Sequence, residues 1–535
     1  MLTRILLGLS ILGSTVGILL LYLRDDLRTT ISSLFALSSL GLIFSTIFSL
    51  PDSFYAVILT FAVVYFLTSI RTYYSDRSER ALLGSLIVLS ALGVLVNSLF
   101  FKIVLIEGIA IVAWLALRNI EKSAAYRLLI TVNVLAVIPL LAYYFAISSP
   151  STQVDIIMIS RSMVSIGLAL AAVLSPMNLL SLRSPNKGIL VQVLTVGIVL
   201  PGIMIMELLE VLSKGNFFTS NMLLIALGVI SLIWIELFRL TDDSRTSIPL
   251  RTSQEGFSYA IILLGAVGSL KVVPRTPILE FLLTYVIILY CLIVALLAFV
   301  LYKGGNHEEV SEVSLPGMRV LMGPAIIALL SAIGAPSTGG FSWRGILYKL
   351  LLIGDPMKVA FIVVLLGTVM SFLGYNKSFA AVYMFIRGQG RPLKTYEIIP
   401  TALSSVILLI VGLLPSFMFK ALYWVPYDVN VYGIEKLNLA FLAAFFTVFV
   451  IIYALIPASI ERRDVWTLGE RVPETLYRMP IEEYFDPLIR EIDAVLLLKK
   501  RITESILRSV MAYAATMIVI EAVAAALYYL LEVIP

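Results

Sequence analysis

Runs of about twenty apolar residues, the length needed to cross a bilayer as a helix, recur along almost the whole chain. They lie at 5–23, 31–50, 54–70, 81–99, 101–117, 127–147, 158–180, 188–212, 219–238, 256–270, 277–302, 319–335, 341–354, 357–386, 397–424, 437–458 and 508–533. With no water inside the hydrocarbon, a spanning segment must satisfy its own backbone, and so many apolar runs read as helices. The runs 319–335 and 341–354 read as one interrupted helix, joined by the Gly/Pro stretch Gly334–Gly340. The sequence therefore predicts an all-α polytopic membrane protein with about 14–16 transmembrane helices, some of them discontinuous. Composition agrees. Of 535 residues 60% are hydrophobic and 14% charged, against about 25% charged in a soluble domain.

The basic residues fall in alternate loops. Arg24 and Arg28, then Arg71, Arg77 and Arg80, then Arg118, Lys122 and Arg127 follow odd-numbered spans. So do Arg183 and Lys187; Arg239, Arg245 and Arg251; Lys303 and Arg319; and Arg387, Arg391 and Lys394. Lys271 and Arg275 are the main exception. Under the positive-inside bias this places the N-terminus outside a cell (cytoplasmic) membrane. The net charge of +5 is explained by the same bias, and nothing points to a nucleic-acid partner. Cys291 and His307 are the single Cys and His. They exclude an internal disulfide, a Cys-ligated cluster or a His-rich metal site within this chain. No cofactor or metal is expected here, and no nucleophile–base set or phosphate loop that would make a catalytic centre is found.

Residues 461–507 break the rhythm with a dense run of charge, within which Ile489, Ile492, Val495, Leu496 and Ile502 recur at roughly helical spacing. This reads as a lateral amphipathic helix on the cytoplasmic side, followed by a final span at 508–533; a loop between two ordinary helices is the other reading. Three polar features within the spans stand out, because such groups are costly in lipid. Glu107 lies near the middle of the fifth span, either as a functional carboxylate or as one satisfied by packing. Gly334-Ala-Pro336-Ser-Thr-Gly339-Gly340-Phe341-Ser-Trp343-Arg344 breaks a helix next to a charge, with Lys349 five residues on. Glu521 lies among small residues in the last span, where helix packing is the simpler account.

The stretch Gly334–Arg344 resembles the broken-helix motif of the antiporter-like subunits of respiratory complex I, Mrp antiporters and membrane-bound hydrogenases with their sulfur reductase relatives. Arg344 stands at that motif's titratable position, and Glu107 where the family has its fifth-helix Glu. Arg251-Thr-Ser253-Gln254-Glu-Gly256-Phe257 looks like the family's turn opening the tenth helix, and Leu315-Pro-Gly317-Met-Arg319 like the lead into the broken helix. Gly167, Pro176, Ser184-Pro185 and Asp464-Val-Trp466-Thr-Leu-Gly469-Glu470 also resemble family positions. The resemblance implies two inverted five-helix repeats, 81–212 and 213–386. Helices at 1–80 would precede them. Helices at 387–460, the lateral segment 461–507 and a final span within 508–535 would follow. It also implies other membrane subunits and the lipid bilayer as partners, with hydrophilic redox subunits carrying iron–sulfur clusters.

The chain departs from the family at the positions that exchange protons. Ala171, Ile198, Tyr285 and Leu289 occupy the family's Lys and His positions, and an arginine stays protonated in proteins. Glu107, Arg344, Lys349, Lys377 and Glu207 remain as ion-pathway candidates, with Glu210 beside them. Two readings stand. The chain is a degenerate paralogue without a continuous proton wire, or Lys102, Lys349 and Lys377 form a rerouted one. At the level of the assembly, the resemblance implies a subunit coupling electron transfer to H+ or Na+ translocation. A subunit of an Mrp-type Na+/H+ antiporter and a stand-alone secondary transporter are the alternatives.

Overall fold

The computed structural model describes residues 2–23, 27–48, 53–71, 77–96, 98–118, 120–149, 154–180, 189–213, 218–239, 247–269, 275–301, 315–335, 338–341 and 395–413, with single positions between 343 and 382 and at 443. All described regular structure is helical. The chain divides into two units, Met1–Ala335 with Gly339–Pro426, and Pro336–Thr338 with Tyr427–Pro535. The lateral segment 461–507, the Trp466 loop, the final span with Glu521, and Pro336, Lys349 and Lys377 lie outside the described residues.

Thirteen helices are labelled here, all in the first unit. They are α1 Leu2–Leu23, α2 Arg28–Ile47, α3 Ser53–Arg71, α4 Arg77–Leu95, α5 Leu99–Arg118, α6 Lys122–Ser148 and α7 Val154–Met177. There follow α8, which runs Ile189–Leu194, Thr195–Val199 and Leu200–Ser213, then α9 Phe218–Arg239, α10 Ser247–Ser269 and α11 Arg275–Leu301. The last two are α12 Leu315–Ile333 and α13 Thr395–Leu413. Among the described residues, nine helices are long and apolar enough to cross a membrane, and α9, α12 and α13 hold shorter apolar stretches. The chain is a multi-pass membrane protein.

Burial orders the bundle. The apolar lengths of α8 and α11 are buried throughout, whereas α1, α2, α6 and α7 expose Leu12, Leu37, Ile130 and Ile159. Lipid is as apolar as those side chains, so their exposure costs nothing in a bilayer. The central α11 packs against α3, α10, α12 and α13, and α10 also against α7, α8 and α9. Two helices carry a π-helical turn, Asn133–Val137 in α6 and Thr195–Val199 in α8. Such turns loosen the backbone ladder and are frequent at functional sites. Pro176, Pro324 and Pro400 sit inside α7, α12 and α13, where each removes a backbone donor.

The interrupted helix read from the Gly/Pro stretch is present. Helix α12 stops at Gly334, whose φ is +80°, and helical backbone resumes at Gly339–Phe341. The amide of Ala335 bonds the Leu330 carbonyl at 3.0 Å and that of Gly334 bonds Ser331 at 3.3 Å. This is the paired cap that a left-handed glycine allows at a helix C-terminus.

Two readings from sequence change. Residues 251–257 do not open the tenth helix as a turn: α10 begins at Ser247 and runs straight through them. Arg71, Arg80, Arg239 and Arg251, read as loop charges, are helical and buried. Arg71 and Arg239 close the last turns of α3 and α9, where a cation meets the carbonyl end of the helix dipole. Arg71 folds back onto the Phe299 carbonyl of α11, and Arg239 turns into a carboxylate cluster.

Candidate functional site

The residues 253–255 of α10 reach three different helices. Ser253 donates to the Gly197 carbonyl in the π turn of α8, whose loosened ladder leaves an acceptor to satisfy. The Gln254 amide donates to the Val173 carbonyl of α7 at 2.9 Å, in the turn before Pro176. Glu255, fully buried, points to the break in α12.

Four groups converge on Glu255. Its Oε1 accepts from Arg344 Nη2 at 2.8 Å and from the Ser371 hydroxyl at 2.9 Å. Its Oε2 accepts from Arg239 Nη2 at 3.0 Å and from the Tyr375 hydroxyl at 2.6 Å. Arg239 also lies 3.3 Å from Glu236 on its own helix and stacks 3.8 Å above the Tyr375 ring. Two arginines and two glutamates thus form one buried group.

Arg344 has a second task. Its guanidinium donates to the Ala332 carbonyl at 2.7 Å and to the Ile333 carbonyl. Those are carbonyls that the end of a helix leaves without backbone donors. Arg344 therefore caps the first half of the broken helix while its charge is neutralised by Glu255. The packing leaves no room for a side chain at the turn: a Cβ on Gly334 would meet the Arg344 guanidinium, and one on Gly340 would meet the Ser331 carbonyl. Aromatic rings wall the site, with Trp343 edge-on to Tyr259 at 4.7 Å and to Tyr290 at 5.9 Å. Tyr285 and Leu289 are buried on α11. The Tyr285 hydroxyl bonds the Val411 carbonyl of α13 at 3.2 Å, and a Cβ on Gly339 would lie 3.2 Å from it.

A second group sits in the first half of the chain. Lys102 on α5 pairs with Glu207 of α8 at 3.1 Å and with Glu210 one turn on, and lies 5.0 Å over the Phe54 ring. Glu207 is buried and Glu210 partly exposed, so this group reaches toward the surface. Glu107 stands apart from it. Its Oε1 accepts from the Asn133 amide at 3.3 Å, at the residue that opens the π turn of α6. In place of the family's cationic partner, Glu107 has a neutral one. Ala171 and Ile198 are fully buried on α7 and α8 and bring no titratable group to either cluster. The structure thus places Arg344 and Glu207 in clusters, and among the described residues Glu107 is met by the Asn133 amide. Glu255, Glu236, Arg239 and Tyr375 were not singled out from sequence.

No profile of a known family and no curated protein matches the sequence. Solved structures do match its shape. A chain of the membrane-bound sulfane sulfur reductase (MBS), an archaeal respiratory membrane complex, aligns over 95% of both chains with a TM-score of 0.69 and 15% identity. A chain of the Mrp complex from Dietzia sp. DQ12-45-1b aligns over 78% of this chain and 95% of its own, at 0.61 and 12% identity. A chain of respiratory complex I from Thermus thermophilus aligns over 79% and 97%, at 0.58 and 16% identity. The chain has the antiporter-like fold. The break after α12 holds the Arg344–Glu255 pair. All three neighbours are chains of multisubunit membrane complexes.

Proposed function

We propose that this protein is an antiporter-like membrane subunit of an energy-converting respiratory complex in the cell membrane. In that complex, electron transfer in partner subunits drives H+ or Na+ translocation, and this chain supplies scaffold without a continuous proton wire of its own. The observation that carries the reading is the buried Arg344, which caps the broken helix and pairs with Glu255 at 2.8 Å. Arginine does not release a proton in a protein, so a group in that place fixes the break and does not exchange through it. The buried Ala171, Ile198, Tyr285 and Leu289 extend the same substitution along the bundle. Coverage of 95% of both chains supports a complex of the sulfur reductase kind.

We also infer that the helices fall into the halves 81–212 and 213–386. Inverted repeats are common in transporters; the second half holds the interrupted helix at Gly334, and α7 of the first half carries Pro176 in its last turn. Copurification tests the assembly. A tagged chain solubilised gently should bring down hydrophilic iron–sulfur subunits together with membrane partners. Recovery of membrane subunits alone would favour an Mrp-type antiporter, and a stable, active single chain would favour a secondary transporter. The iron–sulfur centres belong to those partner subunits in this reading.

A further inference from the structure

The two carboxylates of the α9–α10 cluster are not equivalent. Glu255 takes four donors from four side chains. Glu236 is equally buried, yet neither of its oxygens accepts a well-formed hydrogen bond among the described residues, with the Ser371 hydroxyl and Arg239 as its polar neighbours. Its one ion pair, at 3.3 Å, is with Arg239. Arg239 gives Nη2 to Glu255 and turns Nη1 to Glu236, and the Ser371 hydroxyl donates to Glu255.

The charges around Glu236 oppose one another. Arg239 on its own helix lies 3.3 Å from Glu236, and both Arg239 and Arg344 pair with Glu255 on α10. On α7, which also packs against α9, the ionisable side chains are Asp155 and Arg161. They lie in its N-terminal half, whereas Glu236 is three residues from the C-terminal end of α9. Those two helices are separated by the single crossing α8 and run in the same sense, so Asp155 and Arg161 lie toward the other end of the bundle. Arg251, buried one turn before Glu255 on α10, has interactions of its own; counted over Arg239, Arg344, Glu255 and Glu236, one charge is open. With Glu236 ionised the cluster is neutral. With Glu236 protonated it carries one positive charge but no poorly solvated carboxylate. Burying an ion without hydrogen bonds costs several kcal/mol, and the attraction of a close cation returns an amount of the same order.

We propose that Glu236 is a proton-binding site. It takes one proton from water onto a carboxylate oxygen and returns it, while Glu255 keeps its four donors. The site stands off the family's row of exchanging groups, on a helix from which the sequence resemblance draws no titratable position. It changes the charge beside the Arg344 cap by one unit each time it loads. The inference does not depend on which complex the chain serves or on whether the chain conducts.

Infrared difference spectroscopy on the intact complex in liposomes, stepped over about pH 5 to 9 without turnover, reads protonated carboxyls directly. A carboxyl C=O band should grow as pH falls and shift on exchange into D2O. It should vanish in Glu236→Gln and move in frequency in Glu236→Asp, while remaining in Glu107→Gln. Persistence of the same band in Glu236→Gln would overturn the proposal. So would the absence of any titrating carboxyl band in the unmodified complex. If Glu236→Gln does not assemble, an unshifted band in Glu236→Asp overturns it on its own.

Discussion

Arg344 and Glu255 should behave as one energetic unit, and a double-mutant cycle measures it. At 2.8 Å and an effective dielectric of about 20, their attraction is about 6 kcal/mol before the cost of desolvating both ions. Arg344→Met removes more than that attraction. It leaves Glu255 to Arg239 alone among cations and strips the donor from two carbonyls at the end of α12. Breaking a buried pair from one side costs about 3–5 kcal/mol, because the surviving charge is left uncompensated. Glu255→Gln should cost a comparable amount, since Arg344 and Arg239 would then share Glu236 as their remaining carboxylate. The double variant keeps a neutral cluster through Arg239 and Glu236. It should recover about 0.5–3 kcal/mol relative to the sum of the single losses. Unfolding in mixed micelles with increasing SDS, followed by near-ultraviolet circular dichroism, gives the three free energies. Two results refute the reasoning. One is an Arg344→Met loss below about 0.5 kcal/mol, the size of an ordinary surface substitution. The other is strict additivity of the two single losses.

Lys102→Met should destabilise the first half by about 3–5 kcal/mol, because buried Glu207 loses its cation; adding Glu207→Gln should restore part of that loss in the same unfolding assay. Gly334→Ala should cost at least about 1 kcal/mol for its left-handed backbone and more for displacing the Arg344 guanidinium. Gly323→Ala, inside α12 where an added Cβ meets nothing within 4 Å, should gain about 0.8–1.0 kcal/mol; equal effects at the two glycines would remove the argument for a specified break.

The helices were legible because apolar length is a local property of the sequence. The break was legible for a similar reason: glycine and proline between two apolar runs have few other uses at membrane depth. The cluster was not legible, because its pairs join positions far apart. Arg344 meets Glu255 across 89 positions and Tyr375 meets it across 120. Arg239 looked like a loop charge because it ends an apolar run, yet it is the residue that turns inward. Glu255 was hidden in a stretch read as a turn, one residue before the predicted span 256–270. A signal was present all the same. Glu236 lies inside the predicted span 219–238, three residues before Arg239, and an ionisable group within a span marks a site by default. Applied to every ionisable group within a span, the test that selected Glu107 also selects Glu236.

The choice of arginine at the break has its own logic. A helix interrupted inside a membrane must satisfy the carbonyls it exposes. A lysine presents a compact ammonium that can give up a proton when desolvated. The guanidinium of Arg344 presents a planar fork of donors, which serves Ala332, Ile333 and Glu255 together. The cap it forms is firmer, and it holds its charge through any pH the protein meets. Exchange, if it occurs in this half of the chain, then falls to a carboxylate at the edge of the fork, and Glu236 is the carboxylate that the fork leaves least satisfied.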